Sequence, residues 1–187
     1  FALHRWGAAR ARSRAGIAHV VNLPTEEVYT TPDPARTEGV IRATRPLALG
    51  GTVIEDLQLR FSGGRIVEVA AARGAEVARG HIATDAGAAR LGEVALVDRT
   101  SQILQSGLTF YETLFDENAS CHLAWGSGIA TGHLDYDPER PGSAAALGIN
   151  QSATHTDFMV GSPGVTVTGI QADGRRRVIL ADEIWQL

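Results

Sequence analysis

The alternation of hydrophobic and polar positions along the chain predicts strands joined in hairpins. Each predicted hairpin has two runs in which apolar residues recur at about every second position, with glycine in the intervening turn. Gly63-Gly64 is the clearest turn, because paired glycines accept the backbone angles that a tight hairpin requires. The two predicted hairpins comprise residues 53–61 with 65–69, and residues 165–170 with 177–180.

Other segments predict a buried strand and two helices. Leu91–Val97 is apolar on both sides of one glutamate, which is typical of a strand buried on both faces. Residues 75–90 are rich in alanine and arginine and carry a helical apolar stripe, which predicts a helix. Residues 118–125 suit a short helix with Asn118 as its N-cap. Further strands are predicted at 17–21 and 155–160, and residues 126–150 are predicted to form a loop.

Because hairpins outnumber helices, the expected fold class is α+β, in a single compact domain of mostly antiparallel sheet with a few helices. The length of 187 residues is enough for one domain with a substantial core. The composition, 44% hydrophobic and 20% charged, is that of an ordinary globular protein. We expect residues 17–187 to form this domain, preceded by a basic N-terminal segment over residues 1–16.

Arginine is concentrated in that N-terminal segment, at Arg5, Arg10, Arg12 and Arg14. Such a run is typical of a solvated, mobile segment, and the alternative is a contact with an acidic partner or a substrate carboxylate. The chain as a whole carries a formal net charge of −4, which argues against a general nucleic-acid binder.

Cysteine usage and hydropathy indicate the compartment. The only cysteine, Cys121, excludes an intrachain disulfide and favours a reducing compartment, so we expect a cytoplasmic location. No apolar run approaches the roughly 20 residues of a membrane span, and no membrane contact is expected. Cys121 adjoins His122, but a small buried residue is a better prediction for it than a thiol nucleophile.

Glu93 is the most informative single residue, because it is a lone glutamate in the apolar strand Leu91–Val97. A buried carboxylate costs several kcal/mol unless it is paired or bound to a metal. The alternative is a strand with one solvated face, on which the glutamate points outwards. We favour a ligand or ion-pair role.

His155 and Asp157 are two residues apart in a predicted strand, so their side chains project from the same face. Together they can hold one ion, with Asp157 reaching a second. The same spacing recurs at His133 and Asp135 within the glycine- and proline-rich loop, where we predict a surface position without a role in metal binding. The other histidines, His4, His19 and His81, are predicted to be structural.

Two further pairs of residues have ligand chemistry. Glu117 and His122 converge if Glu117 begins a helix, and Glu26 and Glu27 adjoin in a turn after a predicted strand. In extended structure adjacent side chains point apart, so one glutamate can bind a metal while the other acts as a base. Carboxylates and imidazoles suit Zn, Co, Mn or Mg, and more than four such groups exceed one tetrahedral ion. The surplus indicates two ions that share a bridging carboxylate.

Taken together, six segments in this order and spacing resemble the aminopeptidase T family of dinuclear metallo-aminopeptidases. The resemblance covers nearly all of residues 17–180. The segments that carry it are Asn22–Thr30, Thr37–Gly39, Arg45–Leu47, Leu91–Val97, Thr113–Ala119 and His155–Gly161.

The resemblance implies a ligand set and a reaction. Glu93 would be the bridging carboxylate, and the remaining implied ligands are Glu27, Glu117, His122, His155 and Asp157. Two divalent ions, Zn, Co or Mg, would activate a water that attacks the first peptide bond of a peptide. Adjacency to Glu27 suggests Glu26 as the general base. The family is dimeric, so the resemblance also implies a homodimer or another homo-oligomer.

The chain departs from the family in three respects. It resembles only the C-terminal, metal-bearing part of proteins about twice its length. Ile129 stands where the family has a tyrosine near the metals, and residues 126–150 follow the family pattern poorly. These departures leave two alternatives: a repurposed metal-binding domain that acts on a small molecule in a biosynthetic pathway, or a non-catalytic fragment or subunit that needs a partner.

Overall fold

A four-stranded antiparallel sheet carries five of the six predicted metal ligands. The computed structural model describes residues 4–13 and 15–187; Arg14, one of the arginines of the predicted basic segment, and residues 1–3 lie outside the described residues. The strands are β1 (Arg10–Arg12), β2 (Ala18–Val20), β3 (Glu27–Thr30), β4 (Gly39–Arg42), β5 (Leu47–Leu49), β6 (Thr52–Ile54), β7 (Gln58–Ser62), β8 (Arg65–Ala70), β9 (Leu91–Val97), β10 (His122–Gly126), β11 (His155–Met159), β12 (Thr166–Ile170), β13 (Arg176–Ala181) and β14 (Ile184–Trp185).

The helices are short and lie at the margins of the sheets. They are α1 (Ala75–Ile82), α2 (Gln102–Gln105), α3 (Thr113–Asp116) and α4 (Ser143–Ala146), with 3₁₀ turns at Glu117–Ala119 and Ala130–Gly132. Within the described ranges, none of these helices has the length and apolar character needed to cross a membrane.

The central sheet has the spatial order β11-β10-β9-β3, and smaller antiparallel sheets surround it. These have the orders β4-β7-β8, β5-β6, β12-β13-β14 and β1-β2. The predicted α+β class with mostly antiparallel sheet is confirmed. The division of the chain at residue 16 stays a prediction, although β1 pairs with β2 across that boundary.

One face of the central sheet is apolar and closes the main core. Trp125 and Phe158 are fully buried there, with ring centroids 5.4 Å apart, and they pack with residues of the β7–β8 hairpin and α1. The Trp125 indole Nε1–H donates to His81 Nδ1 at 3.2 Å, which joins α1 to the sheet. This fits the structural role predicted for His81. Because one face is occupied by the core, the opposite face is left for polar side chains.

Two predicted elements are shorter than expected. The predicted strand over residues 53–61 is divided into β6 and β7 by a turn at Asp56, whose φ is positive. The helix predicted for residues 75–90 ends at Ile82, because the Asp85 carboxylate accepts the backbone N–H groups of Gly87 and Ala88 and turns the chain. The second hairpin forms as β12 and β13, close to its predicted bounds.

The helix predicted for residues 118–125 is wrong. After the 3₁₀ turn Glu117–Ala119, the chain becomes extended at Ser120 and continues as β10, paired on both sides. Tertiary pairing therefore overrides local propensity in this short segment. Asn118 is not a helix N-cap; its side-chain oxygen accepts the backbone N–H of Glu26 at 2.6 Å.

Asp85 links α1 to the segment that leads into β11. Its carboxylate accepts hydrogen bonds from the Ala153 backbone N–H at 2.7 Å and the Ser152 hydroxyl at 3.0 Å, besides those from Gly87 and Ala88. The Ala153 backbone hydrogen bond is the largest influence that lowers the pKa of Asp85. This carboxylate fixes the start of the strand that carries His155.

We expect Asp85→Asn to lower the melting temperature at pH 7 by a few degrees. Because the pKa of Asp85 is lowered by folding, its stabilisation is present above its ordinary pKa and is lost as the pH falls through the folded value. The difference between variant and wild type should therefore shrink as the pH falls below the ordinary Asp value of 3.8, and it should disappear only below the lowered pKa of the folded state. Thermal unfolding across pH 2.5–7 measures it; a gap that stays constant with pH would contradict the assignment.

Candidate metal centre

Six predicted ligands converge on the polar face of the central sheet and the adjoining 3₁₀ turn. Three overlapping groups each have ligand atoms within 4.8 Å of one another: Glu27 with Glu93 and His122, Glu93 with His155 and Asp157, and Glu117 with His122 and Asp157. These six residues, the ligand cluster below, come from four strands and one 3₁₀ turn.

The register of the strands explains the convergence. Ala124 on β10 is paired with Asp157 on one side and with Glu93 on the other, so the three side chains form a row on one face. Ala124 is fully buried and adds only a methyl group to this row. Two carboxylates can therefore approach each other above it.

Both histidines of the ligand cluster are held in one orientation by backbone carbonyls. The Nδ1–H of His122 donates to the Ser120 carbonyl oxygen at 3.1 Å, and the Nδ1–H of His155 donates to that of Ser127 at 2.8 Å. A carbonyl oxygen only accepts, so each neutral ring presents the lone pair of Nε2 to the cluster. Histidines that bind metals are oriented by such carbonyl contacts.

The two Nε2 atoms face carboxylates rather than donors. His122 Nε2 lies 2.8 Å from Glu27 Oε2, while His155 Nε2 lies 3.1 Å from Glu93 Oε2 and 3.4 Å from an oxygen of Asp157. Glu27 Oε2 and Asp157 Oδ1 are buried and receive no well-directed hydrogen bond from the described residues, despite these short distances. Lone pairs that face each other in this way need a cation between them, either a proton or a metal ion.

The pKa values of the two histidines also indicate that the ligand cluster needs positive charge. Burial alone would lower the pKa of His122, but the neighbouring carboxylates of Glu27 and Asp157 raise it to about 10. Burial opposes a similar rise at His155, where Asp157 and Glu93 raise the pKa to about 11. Without a metal, the imidazoles therefore hold protons that a bound ion would displace.

Two carboxyl groups of the ligand cluster are also perturbed. Burial, followed by the charge of Asp157, raises the pKa of Glu117 to about 9. Burial is likewise the main cause of the raised pKa of Glu93, whose side chain is only 5% exposed. Burial would also raise the pKa of Asp157, but its interactions with His155 and His122 together outweigh burial and the pKa is lowered. These side chains cannot all be ionised together without added positive charge.

Glu26 lies apart from the ligand cluster. Its Oε2 accepts the backbone N–H of Gln102 at the start of α2, and its side chain lines a separate pocket with Asp98 and Trp185. Adjacent residues of an extended chain point to opposite sides, and Glu27 already occupies the cluster side. The general-base role of Glu26 stays a prediction, and this orientation does not support it.

Two neighbouring sequence features also have structural roles. Cys121 is buried as predicted, its Sγ accepts the backbone N–H of Val97, and burial raises the pKa of its thiol. His133 is buried rather than at the surface, because its Nδ1 accepts the Asp135 backbone N–H and its ring lies 5.4 Å from that of His4. Neither Cys121 nor His133 belongs to the ligand cluster.

A cavity of about 870 Å³ opens onto the ligand cluster. Ile129 lines it, and so does Tyr29, which sequence reasoning did not single out. Tyr29 follows Glu27 by two residues on β3, so the alternation of strand side chains was the available signal. Burial and the charge of Glu27 raise the pKa of Tyr29, so its hydroxyl stays protonated. Three arginines and Trp6 of the N-terminal segment line the same cavity.

A buried carboxylate–imidazole cluster on an antiparallel sheet is the kind of site that hydrolytic metalloenzymes use. Residues 2–185 match the family described as thermophilic metalloprotease (M29), and the chain belongs to this family. The resemblance to the aminopeptidase T family is thereby confirmed, and membership implies the use of divalent metal.

Named relatives and a solved structure agree with this. The chain is 43% identical over 185 residues to "Aminopeptidase AmpS" of Bacillus subtilis, and 44% identical over 184 residues to "Aminopeptidase T" of Thermus thermophilus. Each alignment covers 97% of this chain and 44% of the relative. The structure of wild-type AmpT from Thermus thermophilus superposes with a TM-score of 0.89 at 43% identity, over 99% of this chain and 45% of that one. The chain thus spans less than half the length of these relatives.

We expect Ala124→Leu to abolish metal binding, because the added side chain would fill the space in which the carboxylates of Glu93 and Asp157 converge. Overpacking a buried site should also lower stability by about 1–3 kcal/mol. Ala124→Gly is the matched control, since it leaves the space open and should still bind metal. Zn²⁺ titration by calorimetry measures both variants; full binding by Ala124→Leu would show that the row of side chains does not form the site.

Proposed function

We propose that the chain is a metal-dependent aminopeptidase-like hydrolase that removes N-terminal residues from peptides, with two divalent ions held by the ligand cluster. Zn and Co are the ions that the ligand chemistry favours, with Mg as a third possibility. The observation that carries the proposal is the pair of orphaned oxygens, Glu27 Oε2 and Asp157 Oδ1, facing the lone pairs of the two histidines.

The overlap of the three ligand groups supports two ions rather than one. Glu93 belongs to two groups: its Oε1 lies 4.0 Å from His122 Nε2, and its Oε2 lies 3.1 Å from His155 Nε2. A carboxylate whose two oxygens face different histidines is suited to bridge two ions. Glu117 and His122 would hold one ion and His155 and Asp157 the other, with Glu27 completing the set.

Bound divalent ions would polarise the peptide carbonyl, lower the pKa of a bound water and anchor the α-amino group. The chain's own residues keep that site ordered. The Ser120 and Ser127 carbonyls fix the ring orientations, and Asn118 holds the backbone of Glu26 and hence the start of β3. Tyr29 offers a protonated hydroxyl in the cavity, whereas Ile129 contributes an apolar surface.

Two alternatives to the aminopeptidase function use the same ligand cluster. Ile129 in the cavity favours a repurposed domain that binds metal and acts on a small molecule. The other alternative, a non-catalytic fragment or subunit that needs a partner, stays a prediction. A cytoplasmic location and homo-oligomerisation stay predictions from the single cysteine and from the family resemblance.

We expect Glu93→Gln to lose most of its bound metal, because the amide removes the bridging charge. In the wild type, Zn²⁺ at about 100 times its Kd should stabilise the fold by about 2.7 kcal/mol. That corresponds to a rise of about 5–10 °C in the melting temperature, which a chelator should reverse. Metal analysis and thermal unfolding with and without chelator measure the effect. Glu68→Gln, an exposed carboxylate on β8, is the control; a wild-type melting temperature unaffected by chelator would count against a filled site.

Ile129→Tyr should raise turnover of aminoacyl chromogenic substrates, because a phenol hydroxyl can stabilise the charge that develops on the carbonyl oxygen. One such donor changes rates by about 10²–10³-fold, mainly in kcat. Ile129→Phe has the same ring without the hydroxyl and should show no gain. Metal binding without turnover in the wild type and in both variants would refute the aminopeptidase proposal and favour the repurposed domain.

A further inference from the structure

Three arginines of the N-terminal segment line the cavity that opens onto the ligand cluster. Arg5, Arg10 and Arg12 contribute to its wall together with Trp6, while Glu27, Glu93, Glu117, His155 and Asp157 form the cluster side. The volume of about 870 Å³ is in the range of pockets that hold small ligands. Three positively charged residues therefore line the same cavity as the proposed reaction centre.

Backbone hydrogen bonds hold this segment in place. Gly7 and Tyr29 exchange two of them, at 2.7 and 3.1 Å, beside the strand that carries Glu27. The ring of Tyr29 lies so close to Gly7 that a Cβ there would approach it to 2.6 Å, so a larger residue at this position would displace the ring. Arg5 is fixed further, because its Nε donates to the Thr131 carbonyl oxygen at 2.6 Å.

The two outer arginines share one side of β1. Arg10 and Arg12 are two residues apart, so their side chains project in the same direction from Cα atoms about 6.7 Å apart. β1 is paired with β2 along its whole length, with Arg10 opposite Val20 and Arg12 opposite Ala18. Two guanidinium groups at this spacing can hold one anionic group between them.

No carboxylate of the described chain compensates these charges. Across residues 4–13 and 15–187, neither Arg5, Arg10 nor Arg12 forms an ion pair, and the Arg12 guanidinium donates only to the Gly16 carbonyl oxygen. The cluster carboxylates face imidazoles instead. With two divalent ions bound, the charge of these carboxylates would be balanced, and the arginines would leave the cavity net positive.

We propose that Arg10 and Arg12, assisted by Arg5, bind a carboxylate of the peptide on the C-terminal side of the bond that is cleaved. This inference rests on the proposed aminopeptidase function. Guanidinium groups bind carboxylates through paired, charge-assisted hydrogen bonds. The arginines would repel the α-ammonium group of the substrate, so the recognised carboxylate belongs downstream of the N-terminal residue. Its source is an acidic side chain or the C-terminus of a short peptide.

Two pairs of peptides separate these sources in the zinc-loaded chain. The first pair is a tripeptide amide with aspartate or asparagine in its second position; the second pair is an all-neutral tripeptide as free acid or as amide. Two independent quantities are measured for each peptide. Calorimetry gives the Kd under conditions in which the peptide is not cleaved, and kinetics gives kcat/KM. We expect the carboxylate member of at least one pair to bind about 10- to 100-fold more tightly, less so at high salt.

The variant that tests the arginines is Arg10→Gln combined with Arg12→Gln. It should abolish the carboxylate preference, measured as the ratio of the Kd values and of the kcat/KM values within each pair of peptides. Arg177→Gln, in the exposed hairpin β12–β13, is the control and should retain the preference. An unchanged melting temperature shows that the double variant is folded.

The two proposals fail in different ways. If the neutral amide is cleaved by wild type and double variant alike but neither carboxylate is preferred, the arginine site is refuted and the aminopeptidase function stands. A preference that persists in the double variant also refutes it. If no peptide is cleaved, the aminopeptidase function fails, and the arginine proposal fails with it.

Discussion

Like charges buried on one face of a sheet are the constraint on which the rest of this structure depends. Ligand atoms of four carboxylates and two imidazoles form groups within 4.8 Å in a largely buried cluster. Bringing such groups together in a medium of low dielectric constant is unfavourable by several kcal/mol unless cations lie between them. The rings of His122 and His155 cannot turn away from the carboxylates without breaking their hydrogen bonds to backbone carbonyl oxygens. The fold therefore maintains an arrangement that is stable only with added positive charge.

The opposite face of the same sheet provides the stability that this arrangement requires. Trp125 and Phe158 are fully buried there in the main core, and burial of large aromatic side chains stabilises a fold by several kcal/mol. Because side chains alternate along β10 and β11, the residues next to them point into the cluster. The cavity above that cluster carries arginines on another wall, so one site combines anionic ligands, the proposed cations and a basic surface.

The sequence predicted the members of the ligand cluster better than the geometry that unites them. Glu93 was identified from its apolar surroundings, and His155 with Asp157 from strand alternation. Ala124 was not identified, because its place between Glu93 and Asp157 depends on long-range register and on a bulge after it. The helix predicted over residues 118–125 failed for a related reason: a short segment of mixed pattern becomes a strand when partners flank it on both sides. The position of Arg5, Arg10 and Arg12 at the cavity could not be predicted either. It depends on the pairing of β1 with β2 and of Gly7 with Tyr29, which the local sequence pattern does not encode.

The most direct measurement is anomalous diffraction from crystals of the protein loaded with Zn²⁺ or Co²⁺, recorded at the absorption edge of the metal. The account predicts two anomalous peaks about 3.5–4 Å apart, with the carboxylate of Glu93 between them and Nε2 of His122 and of His155 each bound to a different ion. Absence of any peak at the cluster, or metal bound only elsewhere on the surface, would contradict it.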